Sequence, residues 1–356
     1  MSTDPEPEAS AAFGACPAPV LEHEEILLGH GSGGTLSAEL IEAVFLPAFH
    51  NPTLARLDDA AALELDGARL AFTTDAFVVS PLFFPGGDIG RLAVHGTVND
   101  LAMGGAIPLH LSAAFILEEG LPLETLRRVV DSMAAAAREA GVQVVAGDTK
   151  VVGKGSADQL FVVTTGIGRV PAGVALSAAG VRPGDAVLVS GTLGDHGMAI
   201  LAARQGLGLE GEIRSDTAAL HGLVAEMLAA GPGLHALRDA TRGGLAAVLH
   251  EIAASSRVGI ALDEPAIPVR DSVRGACELL GFEPLHVANE GKLVAFVPPA
   301  EAEAVLASMR AHPLGRDACR VGEAVEAYPG QVVLRTALGS ERVLERAYGE
   351  LLPRIC

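Results

Sequence analysis

Residues 109–148 read LHLSAAFILEEGLPLETLRRVVDSMAAAAREAGVQVVAGD, and this stretch decides the fold class. Leu109–Leu117 is a strand-like apolar run, and Val142–Ala146 is a second one. Between them Pro122 suits the first turn of a helix, and Leu123, Leu126, Val130, Met133 and Ala137 recur at three- and four-residue spacing along one face. Gly141 supplies the stop. Strand, helix and strand in succession predict mixed α and β structure.

Upstream, Leu70–Thr74 reads as a strand, and a helix opens with Asp88 as its N-cap and closes at Gly104–Gly105, with Ile89, Leu92 and Val94 among its buried residues. Downstream, Leu160–Ile167 is a further strand. Between Arg169 and Gly184 the text turns to Pro, Gly, Ala and Ser, which places a domain crossing near residue 175. The second half carries strands at Ala186–Ser190, Leu293–Val297, Arg320–Glu326 and Gln331–Arg335, with helices near Thr217–Ala229, Leu245–Ala254 and Val269–Leu280. The expectation is an α+β protein of two domains, 25–174 and 175–337. A disordered extension at 1–24 precedes them, and a mobile tail at 338–356 follows, closing on Pro353-Arg354-Ile355-Cys356.

At 356 residues and 49% hydrophobic content the chain can bury cores of ordinary domain size. Its 25 Lys and Arg against 44 Asp and Glu leave a net charge of −19, which repels phosphate backbones and anionic lipid surfaces. Nucleic acid and membrane are thereby excluded as partners. The apolar stretch Leu92–Leu117 is interrupted by Asp100, Gly104, Gly105 and Pro108, so no membrane span is predicted. The start lacks a basic segment followed by an apolar one, and is no secretory signal. Cys16, Cys277, Cys319 and Cys356 lie far apart, which fits a reducing, cytoplasmic setting. Cys277 and Cys319, within apolar patterns, are expected as small buried side chains.

Three constellations carry chemistry. In His30-Gly-Ser-Gly-Gly34, the backbone of Gly31, Ser32, Gly33 and Gly34 can approach an anion closely, or can simply turn. A set of carboxylates stands where strands or helices end: Asp58-Asp59, Asp75, Asn99-Asp100, Asp148-Thr149 and Asp239. Each alone reads as a turn residue or cap; together they suit hard-oxygen binding of magnesium and nucleotide phosphates. Arg242, in Asp239-Ala-Thr-Arg-Gly-Gly244, either forks onto a phosphate or pairs with Asp239. Finally, Cys356 ends a tail of ~18 residues that can extend ~60 Å at ~3.3 Å per residue, the reach of a carrier arm.

Taken together, Gly-Ser-Gly-Gly at 31–34, Phe84-Pro-Gly-Gly-Asp-Ile-Gly90, Asn99-Asp100-Leu-Ala, Gly147-Asp-Thr-Lys150, Ser190-Gly-Thr-Leu-Gly-Asp-His-Gly197, Asp239-Ala-Thr-Arg-Gly-Gly244, Ala288-Asn-Glu-Gly-Lys292 and Pro353-Arg-Ile-Cys356 resemble the HypE family of hydrogenase maturation, from about residue 26 to 356. The last motif is the one specific to that family. The others are shared with the PurM-like ATP enzymes, among them aminoimidazole ribonucleotide synthetase, selenophosphate synthetase and thiamin-phosphate kinase.

The resemblance implies a two-domain PurM-like fold, with an N-terminal sheet domain that dimerises and a C-terminal α/β domain, and ATP at the dimer and domain interface. It implies that Asp59, Asp75, Asp100 and Asp239 hold Mg2+ and nucleotide, with Asn99, Asp148, Thr149 and Arg242 nearby. The activity implied is ATP-dependent dehydration of a carbamoyl group on Cys356 to a thiocyanate, the source of cyanide for the iron of a NiFe-hydrogenase. The partners implied are a second copy, the carbamoyltransferase HypF and a HypC–HypD scaffold. Glu290 and Lys150, in polar insertions at strand ends, are candidates for the base that takes the nitrogen protons, or for an ordinary ion pair. His30, His95 and His196 are read as packed or exposed side chains before catalytic ones. Selenophosphate synthetase is disfavoured because residues 30–34 carry no thiol, and a non-enzymatic carrier because it needs no set of acids.

Overall fold

The computed structural model describes residues 23–206, 213–349, 352 and 354–356. The expected disordered extension lies outside the described residues except for its last two, and Cys16 lies outside them too. Helices α1 (Thr35–Leu40) and α2 (Leu46–Phe49), joined through a π turn, lead into β1 (Ala61–Leu65) and β2 (Ala68–Phe77). A small hairpin, β3 (Phe83–Phe84) and β4 (Gly87–Asp88), opens α3 (Ile89–Met103). There follow β5 (Ile107–Glu118), α4 (Leu123–Glu139), β6 (Gln143–Val152) and β7 (Leu160–Arg169).

These strands form a sheet in the order β1-β2-β7-β5-β6, antiparallel except for β5 and β6, which α4 connects. Asp88 caps α3 as its sequence predicts, its Oδ1 accepting from the N–H groups of Gly90 (2.8 Å) and Arg91 (3.1 Å). Packed between the sheet, α4 and the second domain, α3 is buried on nearly every side. Gly90 permits the approach to α4, since a Cβ there would stand 2.3 Å from the Val129 carbonyl oxygen.

The second domain comprises β8 (Ala186–Val189), α5 (Asp195–Gln205), α6 (His221–Ala230), β9 (Ala236–Asp239), α7 (Gly244–Ser256), β10 (Gly259–Asp263) and α8 (Asp271–Leu280). It continues with β11 (Leu293–Val297), α9 (Ala302–Ala311), β12 (Cys319–Val325), β13 (Val332–Arg335) and β14 (Glu341–Val343). Its sheet runs β14-β13-β10-β12-β8-β11-β9. Leu188, Ala295 and Val297 pack toward α6 and α9, whereas Val187, Val294 and Phe296 pack toward α7. Burial of both faces explains why these strands read as unbroken apolar runs. The helix expected from Thr217 begins only at His221. The preceding groups are taken by side chains of α3: His95 Nδ1 meets Thr217 Oγ1 at 3.1 Å, and Asn99 Nδ2 donates to the Ala218 carbonyl at 3.0 Å.

Within the segment 338–356, expected as a mobile tail, several described residues pack against the rest of the chain. β14 pairs with β13 beyond residue 337, and Leu344, Leu352, Ile355 and Cys356 are buried. Leu352, Ile355 and Cys356 join a core that also holds residues of α3, α4, α5 and α8, so both domains contribute to their seat. Burying Leu352 and Ile355 contributes roughly 1.5–3 kcal/mol each, against about 1–2 kcal/mol for each backbone residue ordered. For residues 352 and 354–356 the ordering cost, about 4–8 kcal/mol, is close to the gain of about 3–6 kcal/mol, so a few specific hydrogen bonds decide whether they stay docked.

Candidate active site

The strand end at 78–80 and the C-terminal segment lie side by side. Val78 N–H donates to the main-chain oxygen of Cys356 at 2.9 Å, and Ser80 N–H to that of Arg354 at 3.1 Å, the pairing of a short antiparallel ladder. Arg354 donates from Nε to the Val78 carbonyl (2.9 Å) and from Nη1 to Asp158 Oδ2 (2.5 Å). Arg204 Nη2 spans the Ser80 and Arg354 carbonyls at 2.7 and 2.8 Å. His196 Nε2 stands 2.6 Å from the Ile355 carbonyl oxygen. Leu352 covers Gly197, where a Cβ would come within 3.1 Å of Leu352 Cδ1.

This docking buries the Cys356 thiol, which lines a cavity of about 180 Å³ with Gly31, Ser32, Arg242, Gly243 and Ile355. Burial pushes the thiol well above its ordinary range; Glu290, Asp75 and Asp239 push it further, and the Arg242 guanidinium opposes them. The docked cysteine is therefore a neutral thiol, not a nucleophile. Glu290 is itself 3% exposed, and its Oε1 has no hydrogen-bond partner among the described residues. Burial first, then Asp239, Asp75 and Asp216, raise its carboxyl well above the ordinary carboxylate range. Its backbone N–H donates to Asp216 Oδ1 (3.0 Å), and Lys292 Nζ meets Asp216 Oδ2 at 3.2 Å, which anchors the turn Asn289-Glu-Gly-Lys292. Asn289 fixes the other side by accepting from Gly194 N–H (2.7 Å) and donating to the Ala240 carbonyl (2.9 Å).

The four acids expected to serve magnesium occupy one electrostatic neighbourhood. Burial raises Asp100 and Asp239 well above the ordinary range, and the neighbouring acids raise them further; Asp75 is raised by burial against the pull of Arg242. Asp59 is pushed up to about 6 by burial, although Arg238 pairs with it through Nη1. Asp59 Oδ2 is buried without a partner among the described residues, and Asp100 Oδ2 accepts from Thr73 Oγ1 at 2.8 Å. Among the described residues no three His, Cys, Asp or Glu side chains stand close enough to hold a metal ion by themselves. Hard carboxylate oxygens in a desolvated cluster fit magnesium that takes one or two protein ligands and completes its shell with phosphate oxygens and water.

The glycine loop and the Arg242 motif, remote in sequence, meet. A Cβ on Gly33, whose φ is +78°, would stand 2.7 Å from the Arg242 carbonyl oxygen. Arg242 donates weakly from Nη1 to the Gly31 carbonyl at 3.4 Å, is exposed, and among the described residues makes no ion pair with Asp239. Its fork is accordingly available to an anion at the mouth of the cavity.

Not every expected site residue joins this cluster. Asn99 spends its side chain on the second domain, accepting from Leu220 N–H at 2.8 Å as well as donating to Ala218. Lys150, a candidate base along with Glu290, is exposed on the edge strand β6 and pairs with Asp148 at 2.7 Å. Three strand spacings separate β6 from β2, about 14 Å at ~4.8 Å each, so Asp148, Thr149 and Lys150 stand apart from Asp75 within one chain. Cys277 is buried as expected, its thiol pushed up to about 11, while Cys319 is partly exposed. Sequence reasoning missed Asp158, Arg204, Asp216 and Arg238, none of which stands in a motif that draws attention. It also weighed His196 as a packed ring, without a signal for its partner.

Residues 57–170 match the family of the AIR synthase related protein, N-terminal domain, and residues 182–335 match its C-terminal domain. The chain is similar to carbamoyl dehydratase HypE of Cupriavidus necator, 59% identical over 330 residues that cover 92% of this chain and 94% of the relative. It is similar to the HypE of the crystal structure of a HypE–HypF complex, with 50% identity, a TM-score of 0.83, and coverage of 86% and 99%. A crystal structure of hydrogenase maturation protein HypE in complex with ATP is similar too, with 52% identity, a TM-score of 0.79, and coverage of 93% and 100%.

Proposed function

The chain belongs to the carbamoyl dehydratase HypE family of AIR synthase related proteins, and from that premise we propose that it dehydrates a carbamoyl group carried on Cys356 to a thiocyanate at the expense of ATP. The observation that carries this reading is the burial of the Cys356 thiol among Glu290, Asp75, Asp239 and Arg242. A carbamoyl group on that thiol would lie in the cavity that Arg242 lines and in the field of the Glu290, Asp75 and Asp239 carboxyls.

ATP supplies the phosphoryl group that lets the amide oxygen depart as phosphate, and magnesium bound with it offsets the charge. Arg242 and the loop 31–34 are suited to hold the phosphates by a guanidinium fork and backbone N–H groups. Asp59, Asp75, Asp100 and Asp239 are suited to the cation. Glu290 takes protons from nitrogen once ionised: a carboxyl that burial holds well above the ordinary carboxylate range is then a stronger base than an ordinary one. Closure by residues 354–356 excludes water, which would otherwise return to the carbon of the nitrile.

A homodimer is part of this reading, supported by the sheet face and edge that one chain leaves open: Val144, Val145 and Val151 on β6 are 43%, 61% and 66% exposed, and Phe72, Ile107 and Leu109 lie exposed on neighbouring strands. Asp148, Thr149 and Lys150 lie on that same edge, where they serve the site across the dimer. HypF as the loading partner follows from the complex formed by a relative, and a HypC–HypD acceptor from the need to pass cyanide on. Among the described residues no helix is long and apolar enough to cross a membrane and the cysteines Cys277, Cys319 and Cys356 are free thiols; cytoplasmic action is part of the proposal.

ADP formation by the carbamoylated protein, compared with Cys356→Ser treated alike, tests the reading. It expects ADP in proportion to loaded thiol and none from C356S. Equal ADP formation by both would assign the ATP to a free small molecule.

A further inference from the structure

Residues 354–356 must satisfy two opposed demands if Cys356 is a carrier, and the following inference rests on that reading. The docked Cys356 is 9% exposed and lies in the wall of a narrow cavity, so it has to leave its seat to meet a loading partner; dehydration needs it to return to one place. Two contacts on opposite sides of the segment can govern this exchange. Outside, Arg354 pairs with Asp158, both side chains being partly exposed at 30% and 46%. Inside, His196 is wholly buried and meets the carbonyl of Ile355, the residue before the thiol.

The inner contact has a defined chemistry. Burial lowers the proton affinity of the His196 ring, so it is neutral and carries a single N–H. A carbonyl oxygen can only accept, which places that hydrogen on Nε2 and leaves Nδ1 to accept from the Ser215 hydroxyl at 2.7 Å. Ser215 is held in turn: its N–H donates to the Pro85 carbonyl at 2.8 Å, and its Oγ accepts from Thr217 N–H at 3.2 Å. The Phe84 ring stands edge-on to the imidazole, with centroids 5.6 Å apart. The sequence motif Phe84-Pro-Gly-Gly thus shapes a socket for His196, and His196 for the segment.

We propose that His196 is a positioning residue, whose Nε2–H bond to the Ile355 carbonyl fixes where the loaded Cys356 rests beside Glu290, with the Asp158–Arg354 pair as a weaker outer tether. Buried hydrogen bonds are costly to leave unmade, whereas partly exposed ion pairs contribute little. Loss of the inner contact is therefore expected to release the segment more than loss of the outer one.

The test is alkylation of the full chain by iodoacetamide, followed peptide by peptide, with buried Cys277 as an internal report on folding. His196→Leu is expected to speed alkylation of Cys356 by about tenfold, the size of one buried hydrogen bond, and Asp158→Asn by less. His196→Gln, which keeps a donor near the Nε2 position, is expected to restore most of the protection. In the two half-reactions, loading of Cys356 in H196L holds or rises while dehydration of the loaded thiol falls. Unchanged Cys356 alkylation in H196L, or an equal fall in both half-reactions, overturns the proposal. Should H196L expose Cys277, Ser215→Ala decides instead: it is expected to raise Cys356 alkylation about threefold, within the range of one weakened bond, and no rise overturns the proposal. Alkylation requires no carbamoyl chemistry, so faster alkylation in a protein that never becomes carbamoylated would sink the carrier reading and leave His196 as the holder of the segment.

Discussion

Asn99 on α3 accepts the backbone N–H of Leu220 through Oδ1 at 2.8 Å, so a single side chain of the first domain fixes the segment that leads into a helix of the second. Its Nδ2 completes the clamp at the Ala218 carbonyl. Asn99→Ala leaves the buried Leu220 N–H and the half-buried Ala218 carbonyl without these partners, and is expected to destabilise the fold by about 2–6 kcal/mol, at ~1–3 kcal/mol for each unsatisfied group. Denaturant titration measures this; a shift under about 0.5 kcal/mol, the size of an ordinary surface change, would show that the clamp is dispensable.

Glu290 is predicted to act after loading and not before it. Glu290→Gln keeps the shape and removes the base, so dehydration is expected to slow by about 10²–10⁴-fold, while carbamoylation of Cys356 proceeds. Quench-flow of the two steps separates them. Thiocyanate formed at the normal rate would remove Glu290 from the mechanism.

The acid cluster sets a pH dependence. Burial and mutual repulsion raise Asp100, Asp239 and Glu290 well above their ordinary values of 3.8, 3.8 and 4.5. From those values upward the folded chain binds more protons than the unfolded one, so stability falls as pH rises until the raised groups ionise. Asp239→Asn is expected to flatten that slope, and magnesium with ATP to flatten it further. Thermal unfolding across this range, with and without Mg-ATP, provides the check; a midpoint that climbs with pH would contradict the cluster as described.

The uncovered β6 edge gives a prediction about assembly. Val145→Lys puts a charge into an exposed apolar strip and is expected to shift the protein to monomer, read by light scattering, since charged edge residues oppose strand-edge pairing. A wild-type protein that is already monomeric would remove the dimer, and with it the role of Lys150 across the seam.

Much of this was legible in advance where a local signal sufficed. Asp88 as a cap and the stripe from Leu123 to Ala137 predicted α3 and α4, and Leu293–Val297 is observed with the bounds its apolar run suggests. The helix at Asp195–Gln205 was not legible, because both domains bury it and leave no polar face to mark its period. β9 (Ala236–Asp239) and β10 (Gly259–Asp263) do not stand out because Arg238 and Asp239 break the apolar run of the first and Asp263 ends that of the second. The docking of the C-terminal segment was beyond sequence for a different reason. Leu352, Ile355 and Cys356 show no period, and their partners Val78, Asp158 and His196 lie more than 150 residues away. Glu290 stood out through its motif, whereas Asp216, which anchors it, stands in no motif at all.

The most direct test of the central claim is the intact mass of the protein after incubation with the carbamoyltransferase, carbamoyl phosphate and ATP, with the modification mapped to the C-terminal peptide. The account predicts a gain of one carbamoyl group on Cys356, converted only when ATP is present to a species lighter by one water. A Cys356 that stays unmodified, or a carbamoyl group that persists with ATP, would contradict it.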